Sequence, residues 1–410
     1  MLKNISSTLL VMVISMLSSL AVTIILGRTL SISDFGEFAL LKQILLIGFT
    51  VAIFGLDYGY IKFFSNSHSS NRKIHIITII IVVFIALLFV LLIKLLYNFQ
   101  LYKLFFIFFS ICFGSINLYQ AALYRLKNKY LLGQLFTSGW KIILIILISS
   151  TLLFGLVYHI KFVYMTITIS LFVFSSFIIR YIYKDNNIQY KNVDYKNYLK
   201  LGFIFWLINS TGLISGGLDK IAIPLMFNEE VLGIFTGVSF IFVISLTMIG
   251  SAIGYVIFPQ ISSGKNIQIW KINLLVLSIT ITAVIIFSLY GKYLVNIIFS
   301  GRFDDYISSK LIFYFTVIGS LQIVHTILHF ILSAQANRKQ LFIYLIMTIF
   351  FIVFFILLLV IYKYFSFSIL IYISVIIIIT RILKISSMII LLKMIKNDQT
   401  GYLRNIPEAI

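Results

Sequence analysis

Apolar runs long enough to cross a membrane fill this chain, and they limit what it can fold into. Of its 410 residues, 61% are apolar and 11% are charged, whereas a soluble domain is about 25% charged. A membrane-spanning helix needs about 20 apolar residues. The composition therefore excludes a soluble globular protein and leaves no room for a large domain outside the membrane.

Polar breaks between the apolar runs divide the sequence into about twelve predicted spans. The first run, Ile5 to Leu26, is longer than the core of a signal peptide and has no cleavage site after it, so we interpret it as a spanning helix. The predicted spans are residues 5–27, 38–61, 74–97, 101–124, 131–156, 160–183, 200–225, 231–258, 269–298, 307–334, 340–362 and 366–393.

The longest polar stretch lies near the middle of the chain and predicts two halves. Short repeated patterns agree: Phe35–Phe38 matches Leu232–Phe235 at an offset of 197 residues, and Gly59–Phe63 matches Gly254–Phe258 at 195. Repeats of this kind are typical of transporters built from two related halves. We predict an all-α polytopic membrane protein with about 12 transmembrane helices in two six-helix lobes around a central cavity. The predicted parts are an N-terminal lobe 1–183, a cytoplasmic linker 184–199, a C-terminal lobe 200–394 and a cytoplasmic tail 395–410.

Basic residues predict the orientation. Of the 32 lysines and arginines, 19 fall at the helix ends and loops on the side of the N-terminus, and eight fall on the opposite side. Cytoplasmic loops carry the excess of Lys and Arg in membrane proteins. Both termini are therefore predicted to be cytoplasmic, and the net charge of +20 indicates topology rather than nucleic-acid binding.

Charged residues inside the predicted spans are the candidates for function, because they cost at least a few kcal/mol in the bilayer and tend to face a cavity. Arg28, at the outer end of span one, joins them. More bases than acids at membrane depth favour an anionic cargo over a cationic drug. The basic candidates are Arg28, Lys42, Lys141, Lys220, Arg381 and Lys384, and the acidic ones are Asp57 and Asp219.

Simpler interpretations stay open for several of these residues. Arg28 and Lys42 can extend to the membrane surface, and Asp219 and Lys220 can pair with neighbouring helices. His325 and His329 share a helix face at a spacing compatible with a metal, but a polar helix face explains them better. Cys112 is the single cysteine, which excludes a disulfide framework. No catalytic or nucleotide-binding motif is present, so no cofactor is expected.

Short motifs give a resemblance to a known family. The run Ile25–Ala39, the tripeptide Gly55-Leu56-Asp57, the segments Leu218–Pro224 and Val231–Phe235, and Phe258-Pro259-Gln260 resemble Wzx-type polysaccharide-repeat flippases. These belong to the multidrug/oligosaccharidyl-lipid/polysaccharide exporter superfamily. The resemblance covers the chain in length and helix count.

The resemblance implies that the protein moves undecaprenyl-diphosphate-linked oligosaccharides between the leaflets of the bacterial inner membrane. It also implies a cationic lumen for the diphosphate, to which we assign Arg28, Lys42, Lys141, Arg381 and Lys384. Asp57, Asp219 and Lys220 are candidates for ion coupling or gating. Polysaccharide polymerase and chain-length regulator are possible partners.

Three alternatives are a cation-coupled multidrug exporter of the same superfamily, a polysaccharide polymerase or ligase, and a membrane scaffold. The exporter requires essential intramembrane carboxylates and little need for buried bases. The polymerase or ligase generally carries a large outer loop, and the predicted spans leave room only for short ones. The scaffold does not account for charges inside the spans.

Overall fold

The fold is all-α, as the sequence predicts. The structure, a computed structural model, describes residues 2–64, 72–153, 159–178, 195–262, 269–335, 338–362 and 369–404. Within these ranges there are α-helices and one short 3₁₀ helix, and there is no strand. Helices satisfy their own backbone polar groups, which is what a lipid environment requires of a spanning segment.

The described residues divide into two compact units, the first ending at Leu232 and the second beginning at Gly233. The helices that lie in the first unit are α1 (Leu2–Thr29), α2 (Ile32–Ala52), α3 (Leu56–Phe64), α4 (Arg72–Tyr97), α5 (Leu101–Leu126), α6 (Tyr130–Ser138), α7 (Trp140–Leu153), α8 (Ile160–Ser175), α9 (Tyr195–Gly216) and α10 (Leu218–Met226).

The second unit contains the remaining helices. Helix α11 (Glu229–Ser262) starts at the end of unit 1 and continues into unit 2. It is followed by α12 (Ile269–Phe299), a 3₁₀ helix (Asp304–Tyr306), α13 (Ser309–Gln335), α14 (Arg338–Tyr362) and α15 (Ile369–Arg404). Of the predicted linker, 184–194 lie outside the described residues and 195–199 begin α9, which packs against α2 and α3 of unit 1. The six-helix lobes remain a prediction.

The helices are long and apolar enough to support a multi-pass membrane protein. Ten helices within the described ranges pass a length and hydropathy test for spanning, and the pair α6 and α7, bent by 44°, makes eleven. Helix α8, at the start of the predicted span 160–183, is a shorter apolar helix. Residues 179–183 of that span lie outside the described residues.

Two predicted spans are broken at the same tripeptide. Span two is interrupted between α2 and α3 at Gly55-Leu56-Asp57, and span seven between α9 and α10 at Gly217-Leu218-Asp219. In each case the leucine is buried and the aspartate lies in the first turn of the new helix. A carboxylate is stabilised there by the positive end of the helix dipole.

The break in span two is held by close packing with α9. Phe54 and Gly55 adopt positive φ of 54° and 65°, a conformation that glycine reaches at low cost. A Cβ added at Gly55 would collide with the carbonyl oxygen of Gly202. The Val51 carbonyl oxygen beside the break accepts from the Phe54 N–H at 3.2 Å, and Trp206 Nε1 of α9 donates to it as well at 3.0 Å.

Candidate functional site

Unit 1 contains a small cavity between four helices, and two of the predicted bases line it. Its volume is about 50 Å³. Lys42 comes from α2 and Lys141 from α7, while α1 and α8 supply further wall residues. The full lining is Ser19, Val22, Phe38, Lys42, Leu45, Leu46, Phe49, Trp140, Lys141, Leu144 and Ile167. The walls are therefore apolar except at the two ammonium groups and one hydroxyl.

Lys42 lies deeper in its helix than the sequence suggests. Helix α2 starts at Ile32 and not at residue 38, so Lys42 follows ten residues, or about 15 Å, after its start. Its side chain is half-buried, and Nζ donates to Ser19 Oγ on α1 at 3.1 Å. This position lines the cavity.

A bend at Gly139 separates α6 from α7 just before Lys141. A Cβ at Gly139 would lie 2.6 Å from the Leu135 carbonyl oxygen and 2.7 Å from the tip of the Phe174 ring on α8, so a larger residue there would displace this ring. The bend is followed directly by Trp140 and Lys141, which both line the cavity. Lys141 Nζ lies 5.9 Å from the centroid of the Trp140 ring, within range of a cation–π interaction.

Lys220 is the third base of this region. It lies in the first turn of α10 after the break at Gly217, beside Asp219, and it is close enough to Lys42 for the two charges to interact. Gly217 packs directly against the side-chain amide of Gln43 on α2. The break in span seven therefore brings Lys220 toward α2, which a straight helix does not predict.

Asp57 and Arg28 lie apart from the cavity lining. Asp57 begins α3, and its Oδ1 is buried without a hydrogen-bond partner among the described residues. Arg28 is exposed in the last turn of α1, where a positive charge interacts favourably with the helix dipole. Their proposed roles in coupling and in substrate binding stay predictions.

Unit 2 contains a separate cluster of basic and imidazole side chains between α13 and α15. Arg381 donates from a guanidinium nitrogen to the Ile318 carbonyl oxygen at 2.9 Å. Lys384 is 7% exposed, and both bases are close enough to interact electrostatically with His325. The rings of His325 and His329 stack at 6.4 Å between centroids, and His329 Nδ1 lies 3.3 Å from the Tyr344 hydroxyl on α14.

Metal binding has no support in the described part of the chain. No group of three or more His, Cys, Asp or Glu side chains converges there. The histidine pair of α13 is accompanied by bases instead, and positive charges beside an imidazole oppose the binding of a cation.

Solved structures give the relationship of this fold to known proteins. The structure titled lipid II flippase MurJ, inward closed conformation, matches with a TM-score of 0.67 and 14% identity, covering 98% of this chain and 93% of that one. An inward-facing multidrug resistance MATE family transporter of the MOP superfamily matches at a TM-score of 0.56 and 15% identity, covering 93% of this chain and 96% of that one. A MATE structure in the bent conformation matches at a TM-score of 0.54 and 13% identity, covering 97% of both chains. The chain has the fold that these structures share.

Searches by sequence add nothing to this: neither a protein-family model nor a curated protein matches the chain. At 13–15% identity, the structural likeness establishes the fold.

One buried network was not expected from the sequence. Glu37 on α2 forms an ion pair with Lys103 on α5 at 2.7 Å and accepts a hydrogen bond from the Tyr164 hydroxyl on α8 at 2.8 Å. The two charged side chains are only 11% and 14% exposed. The sequence places Lys103 among the eight basic residues of the outer side. Its partner is 66 residues away, so no local pattern links the two.

Proposed function

We propose that this protein is a flippase that translocates undecaprenyl-diphosphate-linked oligosaccharide repeat units across the bacterial inner membrane. This translocation step serves the biosynthesis of a surface polysaccharide, either O-antigen or capsule. The observation that carries the proposal is the positive charge inside the helices of both units: Lys42, Lys141 and Lys220 in unit 1, and Arg381 and Lys384 in unit 2. The fold shared with a lipid II flippase supports it.

Charge is the main argument for the class of cargo. A charged side chain inside the bilayer costs at least a few kcal/mol, so such residues are retained where they serve a substrate or ion. Lys42, Lys141 and Lys220 in unit 1 have the sign that attracts a diphosphate. In unit 2, Arg381 and Lys384 have the same sign, and each unit thus offers cations at membrane depth.

Energy for transport must come from outside the chain, since the sequence has no nucleotide-binding motif. An ion gradient, the membrane potential or removal of product can supply it. Asp57 and Asp219 are the proposed coupling or gating acids, with Lys220 beside the second. A polymerase and a chain-length regulator, which act on the translocated unit, are the proposed partners, and both termini are proposed to be cytoplasmic.

The decisive experiment is complementation of a bacterial strain that lacks its own polysaccharide-repeat flippase. The full chain is expected to restore surface glycan, and Lys42→Met and Lys141→Met are expected to reduce it at equal protein levels. Lys310→Met, at an exposed lysine in the first turn of α13, is the matched control and is expected to behave as the wild type. Full activity of both cavity variants would refute the role of these bases.

The second candidate is a cation-coupled multidrug exporter, which the likeness to MATE transporters favours. Such a protein would depend on intramembrane carboxylates. One carboxylate within these helices, Glu37, is already paired with Lys103 and accepts a hydrogen bond from the Tyr164 hydroxyl, so it is poorly placed to bind a cationic drug. Drug efflux that survives Lys42→Met and Lys141→Met but is lost in Asp57→Asn would favour the exporter.

A further inference from the structure

Two ammonium groups share the unit 1 cavity, and neither forms an ion pair within the described ranges. Lys42 Nζ has Ser19 Oγ as its hydrogen-bond acceptor at 3.1 Å, and Lys141 Nζ lies near the face of the Trp140 ring. The ion pairs found within the described ranges join other side chains: Glu37 pairs with Lys103, and Lys292 pairs with Asp304. Lys220 adds a third positive charge close to Lys42.

Like charges in an apolar cavity repel each other and are costly to bury without a counter-charge. An anion between them would remove both penalties. Ser19 suits this arrangement because its oxygen accepts from Lys42 while its hydroxyl hydrogen remains able to donate to a ligand. The cavity thus offers two charged donors and one neutral donor from three different helices.

The size of the cavity restricts the anion. A volume of about 50 Å³ holds roughly three or four water molecules when measured with a water-sized sphere. A single sugar ring has many more non-hydrogen atoms than that, so a saccharide diphosphate does not fit in this conformation. A single small inorganic anion does fit.

The walls restrict the anion further. Phe38, Phe49, Leu45 and Leu144 offer no hydrogen bonds to a ligand, so an anion that enters must leave most of its water behind. Desolvation is far more costly for a multiply charged oxyanion than for a monovalent ion. We propose that the cavity of Lys42, Lys141 and Ser19 is a binding site for a small monovalent inorganic anion of the halide class. This inference goes beyond the proposed function, because the ion is not the cargo.

Trp140 makes the site measurable, since bromide and iodide quench indole fluorescence. The full chain in lipid nanodiscs, held in a gluconate buffer, is titrated with bromide. Quenching is expected to saturate, as a bound ion requires, and to compete with chloride but not with inorganic phosphate. Lys141→Met and Lys42→Met are expected to weaken binding at least about tenfold, because a hydrogen bond to a charged group contributes that factor or more. Lys310→Met is expected to leave binding unchanged.

Position is tested independently by anomalous diffraction from crystals of the full chain grown in bromide. A bromide peak between the two ammonium groups is expected. Quenching that stays linear in bromide, or a cavity that is empty or holds only water in the diffraction experiment, would overturn the proposal and indicate neutral lysines. If Lys42→Met and Lys141→Met lose halide binding but still restore glycan export, the anion site exists but has no part in transport. Halide binding retained in a protein that does not restore glycan would count against the proposed function alone.

Discussion

Replacement of Gly55 by alanine is the sharpest test of the break in span two. The residue has φ of +65°, and its new Cβ would collide with the Gly202 carbonyl oxygen and lie 2.6 Å from the Trp206 backbone nitrogen. Both neighbours are backbone atoms of α9, so the contact is relieved only when α9 moves. We expect the positive φ to cost about 1–2 kcal/mol and the forced displacement about 1–3 kcal/mol.

The combined loss is about 2–5 kcal/mol in the free energy of unfolding. For a unit of 232 residues, each kcal/mol lowers the melting temperature by about 2–4 °C. The assay is thermal unfolding of the purified protein in detergent, followed by tryptophan fluorescence. An apparent Tm lowered by about 4–20 °C is expected.

Two other glycines separate the contributions. Gly301 has φ of +77° and Gly212 lies within α9, and an added Cβ meets nothing within 4 Å at either. Gly301→Ala is expected to lose only the conformational part, about 1–2 kcal/mol, while Gly212→Ala is expected to gain up to about 1 kcal/mol. A Gly55→Ala protein no less stable than Gly301→Ala would refute the claim that α9 rests directly on the break.

Three further predictions concern stability. Glu37→Leu and Lys103→Leu should each cost about 3 kcal/mol because the partner is left buried and charged, and the double variant should recover part of that loss in a thermal double-mutant cycle. Trp206→Phe should cost about 0.5–1.5 kcal/mol in the same melts, because the Val51 carbonyl loses the indole donor but still accepts from the Phe54 N–H at 3.2 Å. Hydrogen bonds from Asn296 and then Lys292 lower the pKa of Asp304 below its ordinary 3.8. Its contribution is therefore present above that pH and lost on acidification, so Asp304→Asn should lower Tm at neutral pH, with the difference vanishing in acid.

The hydropathy of the chain predicts its helices well because lipid imposes a single solution on an apolar run. It does not predict where those helices break. Gly55-Leu56-Asp57 and Gly217-Leu218-Asp219 lie inside runs whose mean hydropathy remains apolar. Counting the length of apolar runs therefore does not detect them. The signal that could have found them is the repeated tripeptide itself, with glycine before a helix start and aspartate in its first turn.

The candidate site is partly predictable for a related reason. Lys42 and Lys141 stand out as charges within spans, but the start of α2 is misplaced because Glu37 looks like a loop residue. Its charge is compensated by Lys103, which no local pattern reveals. His325 is likewise uninformative alone, because its basic neighbours lie on another helix.

Tryptophan is scarce in this chain, with three residues in 410, and two of them occupy informative places. Trp140 forms part of the cavity wall, and the Trp206 indole is hydrogen-bonded across the break in span two. Phe substitution at Trp270 and at one of these two leaves the other as a site-specific optical probe, without any attached dye. The emission wavelength of Trp206 would report whether water reaches that hydrogen bond, and quenching of Trp140 would report the contents of the cavity. These two side chains thus allow changes at the break and in the cavity of unit 1 to be followed in real time.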